Sequence, residues 1–76
     1  MVKIGDKIEN ARDGINGINI PVGATVRYHF GVDRGGADFK VVLRDGKKLL
    51  SLTKDPDCTQ TSHGQRGVIE VLSLPE

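Results

Sequence analysis

Turn residues interrupt this sequence so often that no long helix fits into it. Gly5 with Asp6, Asp13 with Gly14, Asn16 with Gly17, Gly35 with Gly36, and Asp45 with Gly46 recur along the chain. Such dipeptides are the punctuation of short strands joined by tight turns. The apolar residues between them alternate instead of recurring at intervals of three and four. The predicted fold is therefore all-β, a small antiparallel β-sandwich or partly open barrel of five to six short strands. One domain spans residues 1–76.

Individual strands follow from the pattern. Val2, Ile4 and Ile8 predict a first strand interrupted near Gly5, and Ile18 with Ile20 a second. In ATVRYHF, residues 24 to 30, Ala24, Val26, Tyr28 and Phe30 fall on one face and Thr25, Arg27 and His29 on the other, which describes a strand buried on one side and wet on the other. His29 reads there as a solvated side chain. Asp45-Gly46 predicts a two-residue type I′ turn, and that turn fixes a register. Arg44 then faces Lys47, Phe39 faces Leu52, Val41 faces Leu50, and Leu43 faces the stem of Lys48. The hydrophobic pattern agrees with it independently. On the reverse face Val42 meets Leu49 in polar surroundings. The last strand, GVIEVLSL at 67 to 74, could bury either Ile69 and Val71 or Val68 and Leu72.

The core of such a chain is thin. A domain of 76 residues buries only about 60% of the surface its unfolded form exposes. Tyr28, Phe30 and Phe39 are the aromatics and there is no Trp, so Val, Ile and Leu must fill the interior. Eleven Lys and Arg against ten Asp and Glu leave a net charge of +1, too weak a field to predict a nucleic-acid or membrane-surface partner. No stretch approaches the roughly 20 apolar residues of a membrane span, and charged residues follow Met1 where a signal segment would be apolar. Cys58 is the one cysteine and cannot form an intramolecular disulfide. These features predict a cytoplasmic location.

Candidate sites lie in two turn-rich segments. KDPDCTQTSHGQR, residues 54 to 66, reads as a long irregular loop, and such loops are commonly functional. Asp55, Asp57, Cys58 and His63 offer carboxylate, thiolate and imidazole, but no CxxC, HxH or HExxH spacing organises them. Cys58 and His63 would make a nucleophile and base only with a third, orienting residue, which the sequence does not show. No metal, no cofactor and no catalytic residue is expected. In VDRGGAD, Asp33, Arg34 and Asp38 bracket two glycines that read first as a turn launching a core strand. Exposed arginines at loop tips are common interface anchors. The residues predicted to bind a partner are accordingly Asp33, Arg34, Asp38, His63, Gln65 and Arg66.

Ile20-Pro21-Val22-Gly23-Ala24-Thr25-Val26 resembles the strand-ending turn of the bacterial pre-peptidase C-terminal domain, a small β-sandwich of similar length. Gly36-Ala37-Asp38-Phe39, with alternating Val41 and Leu43 and then Asp45-Gly46, is similar to that family's next strand and hairpin. The likeness covers about residues 20–72 and implies the sandwich fold. Ile18-Asn19 stands where the family has an aromatic pair, and Val68-Ile69-Glu70-Val71 where its last strand carries aromatics. In some members those aromatics serve polysaccharide, collagen or calcium binding, so the resemblance does not carry that activity over.

The functional expectation is a non-enzymatic domain that binds another macromolecule, foremost a protein. It would act as a stand-alone inhibitor or adaptor, such as a phage-encoded blocker of a host defence enzyme. The alternative is an accessory carbohydrate- or matrix-binding module of a secreted enzyme. A thin core and open strand edges tip the balance slightly toward a homodimer.

Overall fold

The computed structural model describes residues 2–10, 12–29, 36–62 and 66–75. Six strands form one antiparallel sheet: β1 (Lys7–Glu9), β2 (Thr25–His29), β3 (Gly36–Arg44), β4 (Lys47–Leu52), β5 (Asp55–Gln60) and β6 (Val68–Ser73). Their order across the sheet is β1-β6-β2-β3-β4-β5, leaving β1 and β5 at the edges. The all-β expectation holds: the six strands make one hydrogen-bonded sheet that stops short of a closed barrel. It curls until its edges approach. Asn10, just past β1, donates its side-chain amide to the Ser62 carbonyl at 2.9 Å, while the Ser62 hydroxyl donates to Asn10 Oδ1 at 3.2 Å. Side-chain bonds, not a backbone ladder, span this seam. Among the described residues no helix is long and apolar enough to cross a membrane.

The inner face carries the core. Ala24, Val26 and Tyr28 on and beside β2, Phe39 and Val41 on β3, Leu50 on β4, and Ile69 and Val71 on β6 are buried. Period-two alternation on adjoining strands puts them on one side, and each large side chain so buried contributes about 1.5–3 kcal/mol. For β6 the buried pair is Ile69 and Val71, and Val68 and Leu72 lie half-buried on the opposite face. Phe30 falls outside the described residues.

A cover closes this face. Ile15, Ile18 and Ile20 are all buried, yet Ile18 and Ile20 form no strand. They follow a short 3₁₀ turn at Gly14–Gly17 as extended chain laid across the core. Lys48 replaces the missing ladder, donating from Nζ to the carbonyls of Ile18 at 2.6 Å and Ile20 at 3.0 Å. Asn16 adds a reciprocal pair with the Lys48 backbone, at 3.0 and 3.1 Å. A single residue stem thus ends the inward face of β4 in polar groups that hold the cover down.

Two further expectations change. The first strand is confined to Lys7–Glu9, because Ile4 lies 66% exposed in a turn where Gly5 has φ +95°. The segment read as an irregular loop contains β5. Leu52 pairs with Asp55 but Ser51 pairs with Thr59, so residues 56–58 are extruded without a Cα partner on β4. The Ser51 hydroxyl donates to the Pro56 carbonyl at 2.9 Å and bridges the gap. An edge strand with a bulge, a proline and two carboxylates carries no apolar alternation to reveal it.

Candidate functional site

Outward-facing residues of β1, β6, β2 and β3 assemble a row of alternating charge. Arg27 on β2 lies in register with Asp38 on β3 and Glu70 on β6, and Glu70 lies opposite Lys7 on β1. Oppositely charged residues directly across a ladder attract. Arg27 Nε meets Asp38 Oδ1 at 2.7 Å and Nη2 meets Oδ2 at 3.4 Å. This hydrogen-bonded pair holds the Asp38 carboxyl below the usual aspartate range and raises the guanidinium above its own. His29, two residues on, is hydrogen-bonded to Glu70 Oε1 through Nε2 at 3.0 Å. Its side chain stays 37% exposed, as the sequence suggests, and is in addition half of a cross-strand pair.

Beside this row runs a groove of about 640 Å³ lined by Arg27, His29, Gly36, Asp38, Thr53 and Lys54, among others. Thr53 closes one wall, its backbone N–H and its hydroxyl both donating to the Asp38 carbonyl, at 3.0 and 3.2 Å. Gly36 leaves the floor bare because a Cβ there would stand 2.6 Å from the Tyr28 carbonyl oxygen. A second close approach fixes the neighbouring chain. At Gly67 a Cβ would meet the His29 carbonyl oxygen at 2.5 Å and the Tyr28 ring at 2.9 Å. The Tyr28 hydroxyl donates to the Arg66 carbonyl at 3.1 Å and accepts from Asn10 Nδ2 at 3.3 Å, and burial pushes this phenol's pKa up.

These anchors locate the residues expected to bind. His29 pairs with Gly36 on one side and with Val68 on the other. The end of β2 and the starts of β3 and β6 consequently lie at the same end of the sheet. Asp38 lies on β3 in the groove, half-buried and engaged with Arg27, and Arg66 lies exposed beside Gly67. Asp33, Arg34, His63 and Gln65 fall outside the described residues. Sequence reading missed Arg27, Thr53, Lys54 and Glu70, because cross-strand pairing becomes visible only when the order of strands is known.

Chemically the end presents guanidinium, carboxylate and imidazole at fixed spacing. His29 and Glu70 form a hydrogen-bonded pair, and no hydroxyl or thiol among the described residues is hydrogen-bonded to that imidazole. Asp55, Asp57 and Cys58 are exposed on β5, and among the described residues no three His, Cys, Asp or Glu gather as a metal site. Compared with protein-family models, curated proteins and solved structures, the chain matches none.

Proposed function

We propose that this chain is a non-enzymatic binding domain, an inhibitor or adaptor that engages another protein through the end of the sheet formed by β2, β3 and β6. The observation that supports it is the pairing of His29 with both Gly36 and Val68, which brings the end of β2 and the starts of β3 and β6 to one place beside a charged groove. Binding residues borne on loops over a rigid sheet are a general arrangement for recognition. A phage-encoded blocker of a host defence enzyme is one protein of this description. The exposed, lone Cys58 suits a reducing cytoplasm. The carbohydrate-binding alternative gains little, since Tyr28 and Phe39, the described aromatics, are buried and offer no stacking platform. Edge pairing into a homodimer is opposed by Pro56, Asp55, Asp57 and the extruded residues of β5.

Affinity capture from the host, read by mass spectrometry, tests the reading. The wild-type chain retains a specific protein, and Arg66→Glu or Lys54→Glu releases it without lowering the melting temperature. Retention of nothing specific, or equal retention by both variants, contradicts it.

A further inference from the structure

Past Asp38 the outward face of the sheet continues along the β3–β4 hairpin, away from the core. Lys40, Val42 and Arg44 alternate on β3 with the buried Phe39 and Val41, and the register sets Val42 opposite Leu49, Arg44 opposite Lys47 and Lys40 opposite Ser51. Val42 and Leu49 are half-buried and belong neither to the core nor to the aliphatics packed against it. Lys40, Arg44 and Lys47 are exposed, and among the described residues no carboxylate lies within ion-pair distance of any of them. The ion pair of Asp38 is with Arg27.

We propose that this face is an interaction surface for an acidic segment of a partner protein. An apolar side chain sits on Val42 and Leu49, and carboxylates meet Lys40 at one side and Arg44 with Lys47 at the other. The proposal rests on the protein-binding reading and extends it along the same outward face of β3 and β4. A rise of about 3.3 Å per residue sets Lys40 and Arg44 about 13 Å apart. Carboxylates four residues apart in an extended segment span that distance, with an apolar residue midway. Asp45 in the turn offsets part of the charge, and three cations with no ion-pair partner among the described residues still suit an acidic partner. A nucleic acid fits less well. Phosphate backbones engage longer tracks of cations, and exposed bases stack on aromatics, whereas the centre here is aliphatic.

Backbone amide shifts of the ¹⁵N-labelled chain test this directly, with three probes: the peptide acetyl-Glu-Ser-Leu-Ser-Glu-amide, its counterpart with Lys at both ends, and a short oligothymidylate. The acidic peptide moves the amides of residues 40–44 and 47–51. The triple variant K40E/R44E/K47E binds it at least tenfold more weakly and turns to the basic peptide, and Leu49→Ser weakens binding with the cations intact. Failure of the acidic peptide to move this face, shifts that survive the triple variant, or tighter binding of the oligonucleotide there overturns the proposal. If the peptide binds as described while capture retains no protein, the protein-binding reading falls and the acid-binding face stands. If capture succeeds and the peptide fails, the reverse holds.

Discussion

Asn10 and Ser62 hold the two edges of the sheet together by exchanging hydrogen bonds across 52 positions of sequence, amide to carbonyl at 2.9 Å and hydroxyl to side-chain oxygen at 3.2 Å. Both lie close to the Tyr28 hydroxyl, which accepts from the same Asn10 amide group. Asn10→Ala removes the donor to a buried serine's carbonyl and one partner of a buried phenol. The expected loss is about 1–3 kcal/mol, read from urea unfolding, with a smaller loss for Ser62→Ala because the Ser62 carbonyl keeps its donor. Equal stability of Asn10→Ala and wild type would mean that the seam does not hold the sheet curled.

Lys48 makes a second long-range tie. Its ammonium serves the carbonyls of Ile18 and Ile20, and burial pulls its pKa below the usual lysine range. Lys48→Met keeps the aliphatic stem and leaves both carbonyls without this donor. Thermal unfolding should show a loss of about 1–3 kcal/mol, together with faster exchange of the Ile15 amide, which ties the same cover to the Thr61 carbonyl.

The β3–β4 turn offers a cleaner test, because only backbone conformation is involved. Asp45 and Gly46 have φ of +52° and +77°, the two positive values of a type I′ turn, and a Cβ at Gly46 would meet nothing within 4 Å. Gly46→Val therefore costs at least about 1 kcal/mol through left-handed strain alone. A change near zero in the unfolding midpoint would contradict the turn.

That hairpin also shows what the sequence makes legible. Its turn chemistry and its alternation specify the same register, and all six pairs from Phe39 with Leu52 to Arg44 with Lys47 occur. Leu43 departs from the pattern in burial alone, at 57% exposed, since its facing side chain, Lys48, is drawn away to the cover. Ile18 and Ile20 are apolar at alternate positions and so imitate a strand, although their carbonyls are satisfied by a lysine side chain. β5 is hidden for the opposite reason, as an edge strand whose residues need no apolar face. Of the candidate site, Asp38 and Arg66 are readable as polar residues near turns. The pairing of Arg27 with Asp38 is not, because it depends on the register of β2 with β3, and that of His29 with Glu70 is not, because it depends on β6 lying beside β2.

The Arg27 and Asp38 pair predicts a pH response with a definite sign. Hydrogen bonding to Arg27 lowers the folded carboxyl below the ordinary aspartate value of 3.8. Its contribution to stability is complete above that value and is lost as pH falls through the lower folded pKa. The contribution is small, as both side chains are more than a third exposed. Carboxyl carbon shifts should place the Asp38 midpoint below 3.8, and Arg27→Ala should return it toward that value.

Binding through the end of the sheet is tested most directly by amide hydrogen exchange of the chain, alone and with its captured partner. Protection should appear at residues 27–29, 36–38 and 66–68, where the end of β2 and the starts of β3 and β6 come together. Protection confined to the β5 edge, or none at these positions, would contradict the account.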